Sequence, residues 1–458
     1  MATHPYALAG PVITDWRPED KAFWAGGGSR VANRNLMISV PALFLSFAVW
    51  MVWSVVIAKL PLIGFAYSTD DLFWLAALPG LSGATLRIFY SFSVPIFGGR
   101  RWTAISTASL LVPAIGIGFA VQNPDTPYWL FLVLALLCGL GGGNFASSMS
   151  HISFFFPKAQ KGNALAINAG LGNLGVSAMQ FLVPLVITAA VFGSIGGAGQ
   201  SASNGDILFL QNAGFIWVPL ILAAAIAAWF GMNDLATARA SFSEQAVIFK
   251  RRHNWVMCLL YVGTFGSFIG FSAAFPLLAQ KQFPDVNVLA YAFVGPLVSA
   301  LARAGTGWVS DKFGGARVTL AVFAVMALAT FGVIAAVEAQ SWAAFFGLFL
   351  LIFFCTGVGN ASTFQMVPAI MCKEVDRLMP ELDREASVRE ADKESAAIIG
   401  FTSAIGAYGA FFIPKAFGTS IAVTGTPVAA LYVFITFYAV CMAVTWSYYV
   451  RKGSYTRC

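Results

Sequence analysis

The stretches LSGATLRIFYSFSVPIFGGRRW (81–102) and RAGTGWVSDKFGGAR (303–317) share one pattern. Each contains an arginine, Arg87 or Arg303, that is followed eleven residues later by a Gly-Gly pair. Arg87 lies in the middle of an apolar segment, and a guanidinium in the bilayer centre costs at least roughly 2.5–3.5 kcal/mol. A costly residue that recurs in the same pattern indicates an internal repeat, and it indicates that the arginine has a function.

Other landmarks extend the repeat along the chain. Asn144 in GLGGGNFAS and Asn360 in GVGNAST are 216 residues apart, as are the two arginines. Further along, Gly170 matches Gly400 at an offset of 230 residues, which requires an insertion. We therefore predict two pseudo-symmetric halves of six helices each. Parallel repeats of six spans resemble the plan of major facilitator transporters.

Composition places the protein in a membrane. Of its 458 residues, 58% are hydrophobic and 10% are charged, whereas soluble proteins have about 25% charged residues. Apolar runs of about 20 residues, which are long enough to span a bilayer as a helix, recur along the chain. We predict an all-α membrane protein with transmembrane helices at 36–58, 72–97, 103–122, 127–156, 163–189, 213–232, 255–279, 288–310, 318–337, 342–371, 395–421 and 428–450.

The basic residues orient these twelve helices. With the N-terminus in the cytoplasm, only Lys59, Lys281 and Lys415 of the 27 Lys and Arg residues fall on the outer side. This distribution follows the positive-inside rule. Both termini are then cytoplasmic, and the predicted organisation is a tail 1–35, a half 36–232, a linker 233–254, a half 255–450 and a tail 451–458.

The two intramembrane arginines, Arg87 and Arg303, need a counter-charge. All 20 Asp and Glu residues fall in predicted loops, tails or helix ends. Because an unpaired buried charge is costly, we predict that a small anion, the substrate, binds between the halves. The planar guanidinium donates two parallel hydrogen bonds, which suits nitrate and nitrite. These two hydrogen bonds alone do not exclude tetrahedral phosphate as the substrate. The alternative is that each arginine caps backbone carbonyls or braces a loop.

Other polar and aromatic residues are candidates for the same site. Asn173 is an amide deep in the fifth span, and Ser403 is its repeat counterpart. Phe145, Tyr261 and Phe265 could form flat walls for a planar anion, with the Tyr261 hydroxyl as a donor. Packing within the helical bundle is the alternative role for each ring.

Two further features have more than one interpretation. The GxGxxG pattern in AGLGNLGVS (169–177) lies in an apolar helix without a preceding strand, so it indicates close approach of a helix or ligand rather than dinucleotide binding. His151 is the only histidine that we place within a span. It is either part of a proton relay or a polar residue at a helix end.

The motifs resemble those of the nitrate/nitrite porter family, and in particular the bacterial NarK-type nitrate/nitrite antiporters. ALAINAGLGNLGVS (164–177) and GFTSAIGAYGAFFIPKAFG (400–418) resemble the two nitrate signatures. ITDWRPED, FGGRRWT, NFASSMSHISFFFP and TFGSFIGFSAAFP are also similar to that family. GWVSDKFGGAR (307–317) resembles the superfamily's loop signature, from which the first half departs because Pro95 and Phe97 surround the place of the expected Asp.

The resemblance implies a major facilitator fold without a cofactor. It also implies the substrate residues, which are two arginines, an asparagine, a tyrosine and two phenylalanines that sandwich the anion: Arg87, Arg303, Asn173, Tyr261, Phe145 and Phe265. At His151 it implies an amide, so this chain departs from the pattern there.

The implied function is exchange of nitrate for nitrite by alternating access in the bacterial inner membrane, as part of nitrate assimilation. The expected partners are these two anions and membrane lipid, without nucleic acid, and the expected functional form is a monomer. The alternatives are a nitrate/proton symporter and a uniporter for another small oxyanion. A nitrate-sensing receptor would need a signalling domain, for which the loops 233–254 and 373–394 are too short. An enzyme is not predicted, because the sequence shows no nucleophile, metal-ligand or cofactor pattern in or near the membrane segments.

Overall fold

A computed structural model describes residues 10–236, 238 and 246–458. Within these residues, twelve helices are long and apolar enough to cross a membrane, which confirms the twelve-helix, all-α prediction. They are α1 Lys21–Ile63, α2 Thr69–Tyr90, α3 Gly99–Ala120, α4 Tyr128–Phe155, α5 Lys158–Val186, α6 Asn212–Gly231, α7 Arg252–Gln282, α8 Val288–Gly305, α9 Gly315–Glu338, α10 Trp342–Leu378, α11 Arg384–Thr424 and α12 Val428–Val450.

Some helix boundaries differ from the predicted ones. The first helix begins at Lys21 instead of 36, because the Asp20 side chain caps it by accepting from the backbone N–H groups of Ala22 and Phe23. The region 373–394, predicted as a loop, is mostly helical, because α10 continues to Leu378 and α11 begins at Arg384. The 37 residues of α10 span about 55 Å, which exceeds the roughly 30 Å of the hydrocarbon core.

The chain forms two compact units. Unit 1 consists of the described residues in Met1–Ala66 and Leu81–Ser241, and unit 2 consists of those in Tyr67–Gly80 and Phe242–Cys458. The first half of α2 therefore belongs to unit 2. There Nζ of Lys415 donates to Oδ1 of Asp70 at 2.6 Å and lies 4.3 Å from the centre of the Trp74 ring.

Four short strands accompany the helices of unit 1. β1 (Val12–Ile13) pairs in parallel with β4 (Asp234–Leu235), and β2 (Gln200–Ser201) pairs antiparallel with β3 (Ile207–Leu208). At the end of β1 and β4, Oδ1 of Asp234 accepts from the backbone N–H of Arg100 at 2.7 Å. The loop between α2 and α3 lacks the Asp of the superfamily signature, and Asp234, which follows α6, supplies a carboxylate there instead.

The loops after Arg87 and Arg303 have the same backbone conformation. Gly98 has φ 84° and ψ 145°, and Gly314 has φ 89° and ψ 131°. Residues with a side chain rarely adopt this conformation, so both loops require glycine. The next glycine begins a helix in each case, α3 or α9. The sequence repeat is therefore also a repeat of local structure.

Candidate substrate-binding site

Arg87 is fully buried in unit 1, near the end of α2. Its Nε donates to the carbonyl oxygen of Gly142 in α4 at 2.9 Å. Its guanidinium carbon lies 4.6 Å from the centre of the Phe145 ring and 5.2 Å from that of Trp50, both within the range of cation–π interactions. The bond to Gly142 is the carbonyl cap that the alternative interpretation expected, and it uses one of five N–H donors. Trp50 and Gly142 were not among the predicted residues.

Glycines allow α2 and α4 to approach this closely. A Cβ on Gly83 would lie 2.6 Å from Nε1 of Trp50, and one on Gly139 would lie 2.0 Å from Oγ of Ser82. A Cβ on Gly142 would lie 2.6 Å from Cε2 of Trp50 and 2.8 Å from Cα of Gly83. Only hydrogen fits at these positions, and this places the Gly142 carbonyl within reach of Arg87.

Arg303 lies in α8 of unit 2 and is half-buried. Its guanidinium carbon is 5.3 Å from the centre of the Phe364 ring in α10. Its Nη1 is buried, and none of the described residues accepts a hydrogen bond from it. A buried donor without an acceptor is costly, so this atom needs a partner that the described residues do not supply.

A stack of aromatic rings connects this arginine to α7. The Tyr261 ring stacks on Phe364, with centroids 4.5 Å apart and an interplanar angle of 17°. The Tyr261 ring also stacks on Phe265, with centroids 5.3 Å apart and an interplanar angle of 6°. A π-helical turn, Val262–Gly266, lies between the two α7 residues, and such turns are frequent at functional sites. The predicted residues Tyr261 and Phe265 thus lie together, and Phe364, which the sequence did not single out, joins them to Arg303.

The predicted polar residues have different environments. Asn173 in α5 is 1% exposed, and no described residue donates a hydrogen bond to its Oδ1. In α11 the Ser403 hydroxyl donates to the carbonyl oxygen of Gly400 at 2.8 Å. The only hydroxyl proton of Ser403 is therefore engaged by its own helix, whereas the amide of Asn173 has unused capacity.

The two glycine-rich stretches contain glycines of two kinds. A Cβ on Gly175 would lie 2.0 Å from the carbonyl oxygen of Phe44, and one on Gly409 would lie 2.2 Å from Cα of Gly266. These glycines allow close helix packing, which for Gly175 is one of the two roles predicted from the sequence. At the repeat-matched Gly170 and Gly400, a Cβ would meet nothing within 4 Å. Helix packing does not explain this second pair.

Two histidines lie in spanning helices, so the prediction that His151 is the only one is wrong. His151 is 2% exposed in α4, and a Cβ on Gly99 would lie 1.6 Å from its Nδ1. The second is His253, which was missed because α7 begins at Arg252 instead of 255. Its Nδ1 lies 3.0 Å from the Tyr449 hydroxyl and its Nε2 lies 3.8 Å from Oε2 of Glu374.

An ion pair lies at the same end of α7. Nη2 and Nε of Arg251 donate to the two carboxylate oxygens of Glu394 at 2.5 and 2.7 Å. Hydrogen bonding to this carboxylate raises the pKa of the Arg251 guanidinium. The pair is bidentate, which is the geometry that an arginine offers to any group with two oxygens.

Sequence comparison places the chain among membrane transporters. The Major Facilitator Superfamily profile matches residues 42–381. The chain is 53% identical over 447 residues to the nitrate/nitrite transporter NarU of Salmonella typhimurium, covering 96% of each protein. It is 42% identical over 463 residues to the probable nitrate/nitrite antiporter NarK2 of Thermus thermophilus, covering 98% of this chain and 99% of that protein.

Solved structures show the same fold. The inward open conformation of the xylose transporter XylE from E. coli aligns with a TM-score of 0.66 at 12% identity, over 90% of this chain and 95% of that one. Its partially occluded inward open conformation aligns with a TM-score of 0.63, over 91% and 99%. The predicted major facilitator fold is therefore confirmed.

Proposed function

Since this chain belongs to the nitrate/nitrite porter family of the major facilitator superfamily, we propose that it exchanges nitrate for nitrite by alternating access. The observation that carries the proposal is one buried or half-buried arginine in each unit, held against aromatic rings. The relatives whose names state nitrate and nitrite as substrates match nearly the whole chain.

In this proposal, one anion is bound by Arg87 of unit 1 and Arg303 of unit 2 during the cycle. The guanidinium fork offers parallel N–H groups to two oxygens, and both nitrate and nitrite present two oxygens in one plane. Nη1 of Arg303, buried and without an acceptor among the described residues, would gain one. Arg87 is fully buried, and burial strengthens its electrostatic interaction with an anion.

Exchange, rather than net uptake, follows from the permanent charges. Arginine stays protonated at every physiological pH. Bringing two guanidinium groups together without an anion is unfavourable where the dielectric constant is low. The empty carrier should therefore return slowly, and internal nitrite would serve as the ligand for the return step.

The second candidate is nitrate/proton symport, which needs a group that titrates in the pathway. Two buried histidines, His151 and His253, are the residues that favour it. They lie at helix ends in separate units, and neither makes one of the arginine contacts described above. A uniporter for another small oxyanion would need neither a counter-anion nor a proton.

Transport into liposomes separates these functions. Purified protein is reconstituted, and uptake of isotope-labelled nitrate is measured with nitrite, nitrate or only gluconate inside, with and without an acidic exterior. We expect uptake only with internal nitrite or nitrate and no stimulation by acid. Robust uptake into gluconate-loaded, acid-outside liposomes would overturn exchange in favour of symport, and uptake that ignores both conditions would indicate a uniporter.

The same proposal includes the membrane, the orientation and the oligomeric state of the protein. The positive-inside distribution places both termini in the cytoplasm, and the family indicates the bacterial inner membrane. We propose that the monomer is the transporting form, because one chain supplies both arginines. Protease accessibility of tagged termini in right-side-out vesicles tests the orientation, and cleavage from outside would contradict it.

A further inference from the structure

We infer that Trp50 and Gly142 are positioning residues that make Arg87 meet the anion end-on, through Nη1 and Nη2. The inference rests on the proposed function, and it concerns how the anion is bound rather than whether it is transported. Neither residue would touch the anion. Each would act through the guanidinium group of Arg87.

The first step is the bond from Nε. A guanidinium can bind two oxygens through its Nη1/Nη2 end or through its Nε/Nη2 side. In Arg87 the Nε–H is engaged by the Gly142 carbonyl oxygen at 2.9 Å, and the side chain is fully buried. An anion on the Nε side would have to break this buried, charge-assisted hydrogen bond, which costs free energy.

The second step is the orientation of the guanidinium plane. The hydrogen bond from Nε fixes one edge of the planar guanidinium, and rings that face the group limit its rotation about that bond. Trp50 and Phe145 place ring centres 5.2 and 4.6 Å from the guanidinium carbon. Cation–π contacts are strongest in a desolvated site such as this one. With the bond to Gly142, these rings hold the plane of Arg87 before an anion arrives.

The third step is the tight packing of Trp50 on two glycines, where no larger side chain fits beside the indole ring. Trp50 is 0% exposed, and its ring fills the space above two glycines. A Cβ at Gly142 would lie 2.6 Å from Cε2 of Trp50, and one at Gly83 would lie 2.6 Å from its Nε1. The glycines, the indole ring and the guanidinium therefore form one packed group around Arg87.

Trp53 provides a matched control. It lies one turn along α1 from Trp50, is 1% exposed and packs on Phe131, with ring centroids 5.7 Å apart. Trp50→Leu and Trp53→Leu each remove a buried indole, so a purely structural role predicts the same loss of thermal stability and the same transport. Trp50→Phe keeps an aromatic face and serves if Trp50→Leu does not fold.

The test measures nitrate binding by thermal stabilisation in detergent, and KM and the maximal rate of nitrate/nitrite exchange in liposomes. We expect Trp50→Leu to raise both Kd and KM for nitrate about tenfold, Trp50→Phe about threefold, and Trp53→Leu to leave both unchanged. In an Arg87→Lys background, Trp50→Leu should add no more than Trp53→Leu does, because the two residues act as a unit.

Two outcomes would overturn the inference while the transport function stands. One is a wild-type protein that exchanges nitrate together with a Trp50→Leu variant that has unchanged Kd and KM. The other is a nitrate-bound structure with the anion on the Nε side of Arg87. A wild-type protein that neither binds nor exchanges nitrate would refute the proposed function instead.

Discussion

The surroundings of Arg87 and Arg303 differ although the two residues occupy equivalent places in the repeat. Arg87 is fully buried, is bonded through Nε to Gly142 and contacts two aromatic rings. Arg303 is half-buried and contacts one ring among the described residues. The repeat-matched arginines therefore lie in two different environments.

The difference indicates a division of work between the two arginines. A group held by a backbone bond and two rings has lost its rotational freedom in advance, so binding costs it little entropy. A half-buried group with one ring contact keeps more rotational freedom and must be ordered by its ligand. We therefore expect Arg87 to be the preformed part of the site and Arg303 to be the part that the anion completes.

The largest effect should follow replacement of the arginines by lysine. Arg87→Lys removes the bond to Gly142 as well as the fork, and we expect nitrate exchange to fall about 100-fold or more, since hydrogen bonds of charged groups are each worth about 1.5–3 kcal/mol. Arg303→Lys removes only the fork, and we expect a loss of about tenfold. Liposome exchange rates at equal protein content measure both.

Arg389→Lys is a suitable control for this pair, because its side chain is 69% exposed and it should transport normally. Equal losses for Arg87→Lys and Arg303→Lys would remove the proposed division of work. Near-normal exchange by Arg87→Lys would refute the bidentate binding mode itself.

The sequence revealed the arginines because a buried charge is conspicuous in an apolar segment. Apolar runs of about 20 residues revealed the twelve helices. Tyr261 and Phe265, predicted for one site, lie together because residues four apart in a helix share a face. The GxGxxG pattern predicted close approach of a helix or ligand, and at Gly175 the structure shows the close approach of a helix.

The sequence could not reveal the residues that hold the arginines. Trp50, Gly142 and Phe364 look like ordinary membrane residues, and their role depends on where helices cross. Asp234 was hidden for the same reason, because it meets Arg100 from 134 positions away in the chain. His253 was missed because helix ends depend on local capping and packing, which hydrophobicity does not describe.

A smaller effect on KM for nitrate is expected when the ring beside either arginine is replaced, and its size should differ between Arg87 and Arg303. Phe145→Leu removes a ring from a desolvated guanidinium, and we expect KM for nitrate to rise about tenfold. Phe364→Leu removes one from a half-buried guanidinium, where the contact is worth about 0.5–1 kcal/mol, so a rise of about threefold is expected. Initial exchange rates over a range of nitrate concentrations give both values.

Each variant has a control on its own helix. Phe131 in α4 and Phe349 in α10 are buried phenylalanines that pack on other rings, Phe65 and Phe271 respectively. Leucine at either position should lower thermal stability without changing KM. If Phe364→Leu raised KM more than Phe145→Leu, Arg303 would be the better-held arginine and the comparison would be reversed.

The smallest effect is expected at His151. This residue lies six positions after Phe145, which is about 9 Å along α4, and its ring packs on Gly99 rather than on an arginine fork. Because the proposed binding groups do not include a histidine, nitrate/nitrite exchange should vary little between about pH 6 and pH 8, the range in which an ordinary histidine titrates. His151→Gln should exchange within about twofold of the wild type, with the same pH profile. Uptake that accelerates in an acidic exterior and loses this response in His151→Gln, but not in His253→Gln, would assign proton coupling to unit 1 and replace exchange by symport.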